Sequence, residues 1–269
     1  GDPYDKVFNR RAIKPFVPFI NKGFREARVF QVISDHLAKW PTLRGYTGPV
    51  IKIYNGANPA AIKEDSYTDE EITALKTELG KKPGEVWLVN TARLVHQKAF
   101  DVVIRSLVHL PTHVKFLVVG QGEDELMLRK LTNELRLTDR VIFTGHVDRG
   151  VVTKYRLVSD IFVMPSRSEG LGNASLSARA SRLPFITTAI DGMTEHSFAT
   201  DAESPFGRTA WVVPVDDPEA IATAVEDILA HPEEAKRVAD NARKMVVEVY
   251  NWDVIAERMR TEIFNRLCI

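Results

Sequence analysis

From Glu85 onward, short apolar runs rich in β-branched residues alternate with longer amphipathic stretches. The runs cover 86–89, 114–119, 141–144, 161–164, 185–188 and 211–215. They are continuous rather than alternating, which predicts strands buried on both faces. The stretches 100–110, 123–135, 149–158 and 172–182 have the length and spacing of helices. Strands and helices in this order predict right-handed crossovers and an α/β fold, a doubly wound parallel sheet. Beyond the last strand, the Asp217-Pro218 pair opens a helix to about residue 230, and Pro232 opens another to about 250. Asn251-Trp252-Asp253 reads as a break before a last amphipathic helix, 254–267. Trp252 is expected to anchor that helix by burial.

The first 80 residues are less regular. Pro15, Pro18, Pro41, Pro49 and Pro59 interrupt them, and only 29–33 and 51–54 look like strands. The segment 66–80 predicts a helix with Asp69, Glu70 and Glu71 in its first turn. The turn-forming pairs Asn55-Gly56 and Asn58-Pro59 suggest a boundary near 56–59.

Composition narrows the function classes. The 269 residues carry 36 Lys plus Arg against 36 Asp plus Glu, so the zero net charge gives no general reason to bind nucleic acid. One cysteine, Cys268, cannot make an internal disulfide, and no Cys/His cluster has zinc-ligand spacing. The expected setting is cytoplasmic. No apolar run is long enough for a membrane span. Arg10, Arg11 and Lys14 before Phe16 and Phe19 leave peripheral contact with anionic headgroups, at the cytoplasmic membrane face, as an open alternative.

In an open parallel sheet, ligands bind beyond the carboxyl ends of the strands. Three loops there draw notice. The first, residues 91–98, carries Arg93 and Lys98, either two cations aimed at one diphosphate or two solvated surface charges. The second, Gly120-Gln121-Gly122, begins a dinucleotide fingerprint but has Glu125 where the third glycine belongs, so a tight turn is the better reading. The third, residues 166–173, places Gly170 and Gly172 at a helix start, an anion site in outline. Glu169 beside them can accept hydrogen bonds from sugar hydroxyls.

Taken in order, the motifs resemble the C-terminal, donor-binding domain of retaining GT-B glycosyltransferases of the group 1, mannosyltransferase-like family. The resemblance runs from about 50 to 250. It rests on Asn55-Gly56, Ala92-Arg93-Leu94 with Lys98, Gly120-Gln121-Gly122, Gly145-His146-Val147, the 165–173 stretch, Asp191-Gly192-Met193-Thr194-Glu195 and residues 213–218. It implies a Rossmann-like nucleotide-sugar-binding domain at 57–250, the end of an N-terminal acceptor domain with its linker at 1–56, and a C-terminal helix at 251–269. It implies transfer of a sugar, with retention, from a nucleoside-diphosphate-sugar to an acceptor that stays unidentified: sugar, lipid or protein. Arg93, Lys98 and Glu169 would be catalytic, the two cations stabilising the departing diphosphate without a metal or other cofactor. Gly145, His146 and Val147 would line the base pocket. Gly170, Leu171, Gly172 and Asn173 would approach sugar and phosphate.

One departure stands out. Ser177 occupies the place of a second family glutamate that binds ribose hydroxyls, and losing such a bond costs roughly 1.5–3 kcal/mol. Arg179 and Arg182 stand where small or apolar residues and glycine are common. Either another side chain recognises the ribose, or the fold is degenerate and serves as a non-catalytic nucleotide-sugar-binding or interaction module. With so few residues before Asn55-Gly56, the chain is expected to lack a full acceptor domain, which a further domain or second chain would supply. His96 reads as a surface histidine. The apolar stripe Ile255, Met259, Ile263 and Phe264 is expected to pack within the chain, over 1–56, or to await a partner.

Overall fold

A computed structural model describes residues 16–57 and 67–267. The basic cluster at Arg10, Arg11 and Lys14, the Asn58-Pro59 pair and Cys268 lie outside the described residues.

The core is a parallel six-stranded sheet in the order β5-β4-β3-β6-β7-β8. Its strands are β3 (Val86–Thr91), β4 (Val114–Val119), β5 (Val141–Gly145), β6 (Ile161–Met164), β7 (Phe185–Thr188) and β8 (Trp211–Val213). The continuous apolar runs are accounted for by burial on both faces. On one face, Leu88, Phe116, Val163 and Ile186 pack with Phe100 and Ile221. On the other, Trp87, Val89, Phe162 and Phe185 pack with Leu75 and Ala178. Phe162 and Phe185 stack with ring centres 5.4 Å apart. Truncating either to alanine in such a core costs about 3–5 kcal/mol.

The strand order reverses at β3, which pairs with β4 on one side and β6 on the other. Chain connections therefore leave β3 and β6 in opposite directions and open a crevice beyond their carboxyl ends. Both loops singled out for their charge end there.

Residues 16–57 form a small unit. Strands β1 (Phe30–Val32) and β2 (Val50–Lys52) pair in parallel, flanked by helices α1 (Val17–Glu26) and α2 (Asp35–Leu43). The prolines do not prevent these helices. Pro18 sits in the first turn of α1, where its missing N–H is not needed, and Pro41 lies near the end of α2. Helix α3 (Asp69–Glu78) opens with a capping box between Thr68 and Glu71.

The connecting helices are α4 (Phe100–Ser106), α5 (Glu125–Glu134), α6 (Val152–Leu157), α7 (Asn173–Ala180), α8 (Pro218–Ala230) and α9 (Pro232–Val249). Most are shorter than the sequence pattern implies. Helix α7 starts only at Asn173 because Gly172 is left-handed, with φ 75°. Strand β8 stops before Pro214, which cannot donate to a ladder. Asn251 caps α10 (Trp252–Met259), which continues through a wide turn over Arg260–Phe264. Ile255 and Ile263 bury against Ile53, so the last helix folds back over the β1–β2 unit. Two expectations fail there. Phe264 is 53% exposed and outside that stripe, and Trp252 is 43% exposed, its ring against Gly56 rather than in the core. No described helix is long and apolar enough to cross a membrane.

Candidate functional site

The loop after β3 is held by backbone. Ala92 and Leu94 donate to the carbonyls of Val119 and Gln121, both at 3.1 Å, and Asp124 donates to Leu94 at 3.1 Å. A Cβ on Gly120 or Gly122 would overlap the carbonyl oxygen of Ala92 or Leu94. The Gly-x-Gly pair therefore lets the two loops lie in backbone contact. Arg93 projects into solvent from this fixed loop, and among the described residues it has no partner. A short 3-10 turn, His96–Lys98, then carries Lys98 inward.

The loop after β6 is clamped to the first by Arg167. Its amide donates to the Gln97 carbonyl at 2.8 Å. Its guanidinium grips Asp101 at 2.8 and 3.0 Å, Asp216 at 2.6 Å and the His96 carbonyl at 2.7 Å. Burial works against this charge, but Asp101 and then Asp216 hold its pKa above the ordinary value. His96 thus stays at the surface, as expected, while its carbonyl serves the clamp.

Glu169 is 7% exposed and pairs with Lys98, and the Ser166 hydroxyl donates to the same carboxylate oxygen at 3.1 Å. The Glu169 amide and the Ser168 hydroxyl both donate to Asp191 Oδ2, at 3.2 and 3.1 Å. The other Asp191 oxygen meets His36 Nδ1 at 3.2 Å. Gly192 donates to the Glu169 carbonyl, and a Cβ there would overlap the Gly170 carbonyl oxygen. The loop after β6 thus rests on the 191–195 turn, which rests on α2.

A second support lies beneath. Arg179 Nη2 donates to Ser197 Oγ at 2.8 Å, Ser197 Oγ approaches His196 Nδ1 at 3.5 Å, and His196 Nε2 lies 2.6 Å from the Leu171 carbonyl. A carbonyl only accepts, so Nε2 carries the proton. Burial first, and the Arg179 charge second, push the His196 pKa down to about 3. Arg179 is fully buried over the Phe185 ring, and burial lowers its pKa to about 9. Arg182 adopts φ 55°, which accounts for glycine being common at such a position.

The loops enclose one continuous cleft with two lobes. A lobe of about 810 Å³ is lined by Arg93, Lys98, Glu169, Gly170, Leu171, Gly172 and Asn173, together with Ile33 and Leu37 of the 16–57 unit. A lobe of about 960 Å³ is lined by Arg93, His146, Val147, Arg149, Arg156, Asn173, Ser177 and Trp252. Thr91, Ala92, Arg93, Arg149, Asn173 and Ala174 border both. Gly145 is not on the wall. It lies behind, φ 71°, accepting from the Gly120 amide at 3.0 Å. The N-terminus of α7, which carries partial positive charge, opens between the lobes.

Sequence reasoning missed Arg149 and Arg156, taken only as parts of a helix. It also missed the Asp101–Arg167 clamp and the His196 support. The strand-end rule could have found Arg149, which follows β5 closely. Arg156 lies inside a helix and carries no such signal.

The family model described as "Glycosyl transferases group 1" matches residues 71–245. An uncharacterised glycosyltransferase of Methanocaldococcus jannaschii is 29% identical over 76% of this chain and 51% of its own length. The N-acetyl-alpha-D-glucosaminyl L-malate synthase of Bacillus anthracis is 26% identical over 77% of this chain and 52% of its own. The chain thus spans about half the length of these curated relatives. Anabaena HepE in complex with UDP and glucose superimposes with a TM-score of 0.82 at 16% identity, covering 97% of this chain and 70% of that one. The C-terminal domain of a group 1 glycosyl transferase from Francisella tularensis superimposes at 0.60 with 18% identity, covering 73% of this chain and 99% of that one. These neighbours share the Rossmann-like fold of GT-B glycosyltransferases. With a family match over more than half its residues, the chain belongs to the group 1 glycosyl transferases.

Proposed function

We propose that the cleft holds a nucleoside-diphosphate-sugar and that the chain is the donor-binding half of a retaining glycosyltransferase. The observation that carries this reading is the convergence of Arg93, Lys98 and the Gly170–Asn173 helix start on one lobe. In this reading residues 57–250 are the nucleotide-sugar-binding domain, 1–56 ends an acceptor domain, and 251–269 is the helix that ties the two. The nucleoside occupies the lobe with His146, Val147 and Ser177. The diphosphate lies at the N-terminus of α7, between Arg93 and Lys98.

As the bond from anomeric carbon to phosphate oxygen breaks, negative charge builds on the departing diphosphate. Two cations and the helix start stabilise it, work that a metal does in other transferases. Glu169 accepts hydrogen bonds from sugar hydroxyls and orients the ring. The acceptor hydroxyl attacks from the face from which the diphosphate leaves and passes its proton to the departing phosphate oxygen, so configuration is retained. The acceptor, whether sugar, lipid or protein, is bound by a further domain or chain, in the cytoplasm or at the cytoplasmic membrane face.

The donor base stays between two chemistries. Anabaena HepE binds UDP, and a similar Mycolicibacterium smegmatis mannosyltransferase depends on GDP-mannose. Calorimetry with UDP and GDP, and donor hydrolysis with and without a chelator, test the reading. Binding of one diphosphate with chelator-insensitive hydrolysis is expected. Absence of heat with both would sink it. A second reading, a non-catalytic module on the same fold, is favoured by Ser177. Binding without hydrolysis, alone or with a co-purifying protein, would select it.

A further inference from the structure

The nucleoside lobe has an unusual charge. Arg93, Arg149 and Arg156 line it, and among the described residues no carboxylate does. Two of these arginines are at the surface, but Arg156 is 4% exposed. Its Nε and Nη2 both donate to Thr91 Oγ1, at 3.2 and 2.9 Å, which fixes the guanidinium by one edge to the end of β3. Its Nη1 is shielded from solvent and has no hydrogen-bond partner among the described residues. Burial pushes the group down to about 10, so it is still cationic at neutral pH. A buried, charged donor without an acceptor is costly, and an acceptor seated in the cavity that this arginine lines would relieve that cost.

The polarity of the lobe follows from donor and acceptor chemistry. A carboxylate grips a ribose by accepting from its hydroxyls. A guanidinium can only donate, so it grips the same ribose through the oxygen lone pairs. Dinucleotide folds show the same exchange, with an acid for a free ribose hydroxyl and an arginine where the ribose bears an anion. Ser177 lies in this lobe with Arg156, where the resemblance leads one to expect an acid.

We propose that Arg156 is a donor-specificity residue that hydrogen-bonds a ribose oxygen of the bound nucleotide, replacing the missing carboxylate with a fixed cation. The proposal rests on the reading of this cleft as a nucleotide-sugar site. It assigns a specific recognition role to a residue inside helix α6.

The test uses the whole chain and calorimetric titration of UDP and GDP with their 2′-deoxy and 3′-deoxy analogues. Wild type is expected to bind one parent diphosphate and to bind at least one deoxy analogue about tenfold or more weakly. In Arg156→Met, parent and analogue should bind within about twofold of each other. Because Arg156→Met removes a buried anchor of β3, Arg156→Lys is measured beside it, each variant checked by circular dichroism and melting. The lysine variant should show a reduced but surviving preference. A preference intact in either folded Arg156 variant overturns the proposal. Parent binding by wild type with no preference overturns it while leaving the donor reading in place. No binding of either parent overturns both.

Discussion

The Lys98 ammonium pairs with the Glu169 carboxylate, joining the loop after β3 to the loop after β6 across the floor of the crevice. Under the proposed function, the cation that meets the diphosphate and the acid that meets the sugar thus neutralise each other. Arg93, exposed and without a partner among the described residues, is under that reading a charge open to an incoming diphosphate.

Removing the acid should separate the two roles. In Glu169→Gln, Lys98 loses its counter-charge, and a bare nucleoside diphosphate should bind about threefold or more tightly, on the order of 1 kcal/mol. The same change removes an acceptor for sugar hydroxyls, so turnover of the nucleotide-sugar should fall. Calorimetry with UDP and GDP beside a donor-hydrolysis assay checks both. Weaker diphosphate binding would contradict the pairing argument.

Arg93→Gln should weaken diphosphate binding by about 1.5–3 kcal/mol, the value of a charge-assisted hydrogen bond. Because the side chain is exposed, its attraction is screened by salt. The loss should therefore shrink between low and high ionic strength in paired titrations. An affinity unchanged at low salt would remove Arg93 from the site.

Gly192→Ala should destabilise the chain by about 1–3 kcal/mol, since the added methyl meets the Gly170 carbonyl and both backbones are fixed. Gly150→Ala is the control, because nothing lies within 4 Å of its added carbon. Thermal melts of the two variants give the comparison, and equal melting temperatures would rule out the close packing described.

Stability should fall in mild acid through His196. Its folded pKa, about 3, lies below the ordinary histidine value of 6.5, so the unfolded chain takes up the proton first. The contribution is fully present above pH 6.5 and is lost progressively as pH falls toward 3. At pH 5 the loss is about 2 kcal/mol. Urea unfolding at pH 7.5 and pH 5 measures it, and His196→Gln should flatten the difference. An equal slope in the variant would place the acid sensitivity elsewhere.

The fold was readable because β3 to β8 are buried on both faces and so write themselves as unbroken apolar runs. The charged loops were readable because chemistry gathers where β3 and β6 diverge. Helix α1 was hidden by Pro18, which falls in the first turn where a helix tolerates it, and the extent of α2 by Pro41 inside it. Trp252 was misjudged because a turn followed by tryptophan reads as an anchor, whereas its ring closes one wall of the cleft beside Gly56. Arg179 and Arg156 were illegible in kind. Each is charged and buried, a combination that depends on contacts far away in sequence, Ser197 for one and Thr91 for the other.

Asp191 holds His36 with one oxygen and the Ser168–Glu169 segment with the other, while Lys52 ties Asp35 to Glu195 at 2.7 and 2.9 Å. These links make a short lever between the start of α2 and Glu169. A displacement of residues 33–37, whose Ile33 and Leu37 already form part of the wall, cannot stay local. It carries the turn at 191–195 and the Ser168–Glu169 segment with it.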